Sequence, residues 1–197
     1  MHSPIIYLIP ENNEINYNEK DVRLSVPNEY DLQDMIAESD WLVPDTSSED
    51  LWHRGSWDIK EILEESHYGT VTPIDDDFVC YTITEKDIIK YQKELLEENE
   101  KFNSIVREYQ EQKQMVPYFL SEFDQLKYRE LHGDISGGIQ FVELPSESIG
   151  NLDNGYYGSV DNSIGLLKTL QLRFTIDKNK NKQSYIVPLH VQGDYHY

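Results

Sequence analysis

One apolar stripe in the middle of the chain constrains its fold more than any other feature. Ile88, Tyr91, Leu95, Phe102, Ile105 and Tyr109 recur at alternating steps of three and four residues, with Glu98 in the one polar slot. That spacing gathers them on one face of an α-helix, a seam of roughly three heptads. The other faces carry Glu94, Glu97 and Lys101, charges at home in water. The pattern predicts a helix over about 85–115. Thr84 and Asp87 form a capping box at its start, with Asp in place of the usual Glu. Pro117 interrupts the stripe and suits the first turn of a second helix, about 117–132, which Gly133 can end. Two antiparallel helices, a hairpin over 85–132, fit this text, and so does one long kinked helix. A seam this short serves core or hairpin packing more readily than a coiled coil, although a homodimer through it is the alternative.

Strand-like text lies on both sides of the stripe. "PIIYLIP" (4–10) is β-branched and aromatic between prolines, and "DVRLSV" (21–26) alternates apolar with polar, so both read as strands. The intervening "ENNEINYNEK" reads as a polar loop. "PNEYDLQDMIAESDW" reads as a short helix capped by Asn28, with Asp31 three residues on. A third helix follows Ser56 or Asp58, with Ile59, Ile62 and Leu63 as its apolar stripe and Trp57 placed to staple onto Ile62 or Leu63. "YGTVTPIDDDFVCYTIT" reads as two short strands around a turn tipped by Asp75, Asp76 and Asp77. Beyond Gly133, "GIQFVEL", "TLQLRFTID" and "SYIVPLHV" read as strands, the last an edge or bulged strand because of Pro188. "PSESIGNLDNGYYGSVDNS" reads as a turn-rich connection. The expected fold class is α+β: a single domain over 1–197, antiparallel strands from both chain ends and a central helical pair.

Charge bounds the function. The chain has 37 acidic residues against 17 Lys and Arg, a net charge of −20. Residues 1–66 hold 16 acids and 4 bases, 67–132 hold 14 and 8, and 133–197 hold 7 and 5. So acidic a surface is a poor partner for nucleic acid or an anionic membrane. Solubility alone would account for a high net charge, but less well for one concentrated in the first third. No apolar run reaches the roughly 18 residues of a membrane span. The first residues also lack the basic start of a secretory signal, which points to the cytoplasm.

Local motifs for chemistry are missing. The single Cys80 rules out an intrachain disulfide and a multi-cysteine zinc site. Alternation puts it on one face with Phe78, as a core residue. The six histidines include no helical i, i+4 pair. Asp75–Asp77 lack the alternating ligand spacing of a calcium loop and read as solvated turn residues. "LHGDISGG" (131–138) resembles the catalytic loop of aminoglycoside-phosphotransferase-like kinases over three residues only. Ile139 stands where that loop needs a metal-binding Asn, and the resemblance fails there. No cofactor or metal is called for.

What remains is recognition. Carboxylates interleaved with Trp and Tyr suit the capture of a basic protein: the charges steer encounter and the aromatics anchor it. The candidate contact residues are Trp41, Asp45, Glu49, Asp50, Trp52, Arg54 and Asp58, together with the Asp75–Asp77 turn. The expected function is a non-enzymatic inhibitor of a basic, nucleic-acid-processing partner such as a nuclease, of the immunity-protein or phage DNA-mimic kind. Two alternatives stand beside it. One is a small enzyme whose carboxylates converge only in three dimensions. The other is an adaptor or structural subunit docking through the 88–109 seam. In the loop "SEDLWHRGSWDI", Arg54 has a simple alternative role, pairing with the neighbouring acids.

Overall fold

The computed structural model describes residues 2–11, 18–35, 41–46, 57–66, 69–111, 139–144, 147–152, 170 and 182–196. Its organising element is the first strand, β1 (His2–Pro10). Ile5, Ile6, Tyr7, Leu8 and Ile9 are all buried, so the strand is covered on both faces. A continuous apolar run with no charge is what such a position demands. Ile6 and Leu8 enter one core cluster and Ile5, Tyr7 and Ile9 the other, which is the two-residue period of a strand.

Strands from the chain's far end flank β1. Residues His2–Ile6 pair antiparallel with β8 (Gln192–His196), and Ile9 and Pro10 with β7 (Lys182–Pro188). β5 (Ile139–Glu143) pairs with β1 in parallel, Ile5 to Leu8 against Gln140 to Glu143. Outward from these lie β2 (Trp41–Val43) on β8, β6 (Glu147–Leu152) on β5, and the hairpin of β3 (Thr70–Pro73) and β4 (Phe78–Thr84) on β7. Gly193 lets β8 and β2 close up, because a Cβ there would stand 2.8 Å from the Val43 carbonyl oxygen.

Helices cover both faces. Val22 of α1 (Glu19–Ser25) and Leu32 of α2 (Glu29–Met35) pack with Ile5, Tyr7 and Ile9. Ile59 and Leu63 of α3 (Ile59–Ser66) pack with Ile6 and Leu8, as do Ile88 and Tyr91 of α4 (Glu85–Glu111). Each helix opens on the same local device. Asn18 and Asn28 accept from the amides of Asp21 and Asp31 and donate back to those carboxylates. Asp58 accepts from the Glu61 amide at 2.9 Å, and the Thr84 amide and hydroxyl donate to Asp87 at 2.8 and 2.6 Å. These boxes satisfy amides that a helix start leaves without partners.

The fold is α+β, with antiparallel strands from both chain ends, as the sequence predicts, and three of its expectations are corrected. "DVRLSV" is helix α1 rather than a strand: the Asn18–Asp21 box starts it, and Val22 and Val26, one turn apart, face the core while Leu24 faces water. The start of "PSESIGNLDNG" is strand β6, held by pairing to β5 rather than by strand propensity. β7 is no edge strand: it pairs along its length with β4 and at Tyr185–Ile186 with β1, and Pro188 simply ends it. The predicted helix over 85–115 is described from Glu85 to Glu111, about 40 Å at 1.5 Å per residue. The second helix over 117–132 and the strand after Leu170 lie outside the described residues. No helix among the described residues is long and apolar enough to cross a membrane.

Leu8→Ala removes a side chain packed on every side and lowers unfolding stability by about 2–5 kcal/mol. Leu24→Ala, at a position 77% exposed, changes it by less than about 0.5 kcal/mol. Urea denaturation of the two variants measures both.

Candidate functional site

Between β7 and β8 the chain turns through Leu189, His190 and Val191, and this corner is where distant candidate residues meet. Pro188 has no amide to continue the ladder, so the backbone groups that follow find partners elsewhere. The Leu189 amide donates to the Asp77 carbonyl at 2.8 Å. The His190 carbonyl accepts from an Arg23 Nη at 3.0 Å. Val191 is buried in the core.

Arg23 ties the second third of the corner. It reaches back to Glu19 one turn earlier, with Nε 3.0 Å from Oε1, and forward to the Asp45 carboxylate. Burial opposes its charge, and the hydrogen bonds it donates to Asp45 and Glu19, with their negative charges, outweigh that, so its pKa stands above the ordinary arginine value. Asp45 is placed from the other side by the Tyr7 hydroxyl, which donates to the Pro44 carbonyl at 2.6 Å. Burial, first, and the nearby Asp45 charge push the Tyr7 pKa well above the usual tyrosine value.

Gln192, 1% exposed, completes the arrangement. Its backbone carbonyl accepts from the Thr46 amide at 2.9 Å. Its side-chain oxygen accepts from the Trp57 amide at 2.8 Å, and its Nε2 donates to the Trp57 carbonyl at 3.1 Å. The side-chain amide thus imitates one rung of a β-ladder. Trp57 also packs against the core cluster that holds Leu63.

The candidate aspartates therefore come from three segments to one corner. Asp45 arrives through Arg23, Asp58 follows Trp57, and Asp77 carries the Leu189 contact. His190 Nε2 lies 3.6 Å from Asp77 Oδ1. The three turn aspartates have separate roles. Asp75 Oδ1 accepts from the Asp77 and Phe78 amides at 2.9 and 2.8 Å, an Asx turn that shapes the hairpin tip. All three side chains are exposed. Asp58 is exposed as well, while Asp45 is partly covered. Trp41 is placed in β2, opposite His196 of β8. Glu49, Asp50, Trp52 and Arg54 lie outside the described residues, as does the His132–Asp134 stretch. Ile139, at the position a kinase loop would use for metal, is buried in the core.

Sequence reasoning passed over Arg23 and Gln192. Their partners are up to 167 residues away, a separation no local pattern reveals. Cys80 stands where alternation puts it, beside Phe78 at the edge of the core, with Sγ 3.6 Å from Thr82 Oγ1. Among the described residues no group of three or more His, Cys, Asp or Glu could hold a metal ion. No family model, curated protein or solved structure matches this chain.

Asp75→Ala strips two backbone amides of their acceptor and costs about 0.5–2 kcal/mol of stability. Asp76→Ala is neutral within about 0.5 kcal/mol. Thermal melts separate the two. A second expectation concerns pH. The folded state resists ionisation of Tyr7, whose folded pKa lies above its unfolded one, so the stabilisation is whole below about pH 10 and shrinks as pH rises above that. Tyr81 behaves alike: burial, against an opposing hydrogen bond with Ser66 and with a smaller push from the Asp87 charge, raises it to about 12. Denaturant midpoints should hold steady from pH 8 to 9 and fall beyond pH 10, less steeply in Tyr7→Phe.

Proposed function

We propose that this is a non-enzymatic acidic binding protein that neutralises a basic partner, foremost a nucleic-acid-processing enzyme such as a nuclease. It would act in the manner of immunity proteins or of phage inhibitors whose carboxylates stand where phosphates would. The observation that carries the reading is the gathering of Asp45, Asp58 and Asp77 around the 189–192 corner from segments far apart in sequence. The surroundings support it. Within residues 1–66, every described carboxylate side chain is at least partly exposed. Two of the described bases there, Arg23 and Lys60, are already held by acids of this chain, Glu19 and Asp45 for one and Glu64 for the other. Little positive charge is left to screen the field, and such a field steers a basic protein and repels a duplex.

The contact surface on this reading comprises the corner aspartates, Asp75 and Asp76 beside them, and the segment between Asp45 and Asp58 with Glu49, Asp50, Trp52 and Arg54. Trp41 pairs with His196, at the end of β8 away from Gln192, and stands apart from that corner. The protein acts inside the cell, where its partner works.

A second reading, an adaptor docking through α4, is favoured by one observation. Ile89 and Leu96, seven residues apart on that helix, are 60% and 61% exposed. Seven residues return a helix to nearly the same face, whereas Ile88 and Tyr91, the first two residues of the 88–109 seam, are already buried in the core.

Titration with a labelled arginine-rich peptide and with a 20-base-pair duplex tests the main reading. The peptide should bind, with affinity falling by about tenfold or more between 50 and 300 mM salt as the charges are screened, and the duplex should not bind. Salt-independent peptide binding, or a native pull-down that recovers only neutral and acidic proteins, would end the proposal.

A further inference from the structure

On one side the sheet ends at β3, and the outer edge of that strand is open. Among the described residues the order runs β7, β4, β3, with no strand beyond. The direction of each backbone group on β3 follows from its register. The Ile74 amide donates to the Phe78 carbonyl at 3.0 Å. From there the pairs run back without a shift through Pro73–Val79, Thr72–Cys80, Val71–Tyr81 and Thr70–Thr82. Backbone groups alternate sides along an antiparallel strand. Thr70 and Thr72 therefore turn their amides and carbonyls to β4, while Val71 and Pro73 face outward. Pro73 agrees with this, since a proline suits a strand where its missing amide would face solvent. The edge thus offers the Val71 amide and the carbonyls of Val71 and Pro73. The side chains of Thr70, Thr72 and Pro73 along it are exposed.

We infer that the outer edge of β3 captures an extended, basic segment of the partner as an added strand. This rests on the function proposed above and names the backbone groups that grip the partner. Val71 donates and accepts one bond each, and a further partner amide donates to the Pro73 carbonyl. Charge selects the kind of segment. Asp75, Asp76 and Asp77 are exposed where the strand ends. Beside the strand lies α3, which exposes Glu61, Glu64 and Glu65 and whose one lysine, Lys60, is already held by Glu64. Arg or Lys on the added strand would meet carboxylates at its end and along its flank. Ile74, half exposed at the tip, adds an apolar contact. A second copy of this chain is a poor occupant, because two molecules of net charge −20 repel. The short edge and Pro73 suit one guest strand rather than continued sheet growth.

Two short peptides of equal charge test the edge. One alternates Arg with Val and can lie as a strand, and the other alternates Arg with Pro and cannot. The Arg–Val peptide should bind about tenfold more tightly, the equivalent of one or two hydrogen bonds. Amide exchange then locates the contact. In the free protein the Val71 amide should exchange at an unprotected rate and the Thr72 amide slowly. Saturation with the Arg–Val peptide should slow Val71 by about tenfold or more. Val71→Pro deletes the outward donor and leaves the β3–β4 ladder in place. Its affinity for the Arg–Val peptide should fall to near that for the Arg–Pro peptide, with the latter unchanged. A role confined to stability would move both affinities together.

The inference is overturned if Val71 is as protected as Thr72 in the free protein, or if saturating Arg–Val peptide leaves its exchange unchanged. It is overturned equally if folded Val71→Pro binds both peptides as the wild type does. Should that variant fail to fold, exchange and the two-peptide comparison on the wild type decide. If both peptides bind alike and Val71 stays unprotected, the edge falls and the function reading stands. If neither binds, the function reading falls and takes this inference with it.

Discussion

The fold turns on the need to cover one uncharged strand from both sides. Five successive side chains of β1, Ile5 to Ile9, point alternately into two cores, and neither core exists unless helices close it. Residues of this size contribute roughly 1.5–3 kcal/mol each when buried, so the strand's own sequence enforces a layered arrangement. α1 and α2 lie on one layer, α3 and the first turns of α4 on the other. Strongly acidic helices are acceptable in both places, because their described carboxylates stay at least partly exposed while apolar residues such as Val22, Leu32, Ile59 and Leu63 reach the core. The surplus of negative charge and the large apolar strand are compatible because they occupy different layers.

Pairing beyond β1 explains why the acidic candidates converge. β7 and β8 serve different partners, β4 on one hand and β2 on the other, and the chain must turn between them. That turn exposes backbone groups that the ladder no longer satisfies. They are met by Asp77 from the β3–β4 tip, Arg23 from α1 and the amide of Gln192. The meeting of these aspartate-bearing segments is thus a by-product of hydrogen-bond satisfaction before it is a surface for anything else. Asp45, Asp58 and Asp75 have structural duties that any partner would have to share, and this leaves Asp76 and the exposed oxygens of Asp77 the more available of the group.

Features decided within four residues were legible in the sequence. The helix starts at Asn28, Asp58 and Thr84 could be read because a cap and its third following residue suffice to make the box. The same box at Asn18 was present in the text, but a short alternation over 21–26 competed with it. A six-residue window holds both periods, and only Val22 and Val26, four apart, separate them. β6 gave no signal, since Gly, Ser and Asn form a strand there only by borrowing the edge of β5. The candidate site divides in the same way. The aspartates could be singled out by composition, whereas Gln192 and Arg23, which assemble them, carry no mark of their role until the chain is folded.

The pairing of His2 with His196 has a practical corollary. Whatever chain is added before the one and after the other departs from neighbouring points on the same sheet, next to Trp41 across β8. A short linker could close the molecule into a ring there, and a new pair of ends could be opened elsewhere without dividing β1. For anyone building reagents from this protein, two groups attached at His2 and at His196 would crowd each other, and labels placed there would report on one location rather than two.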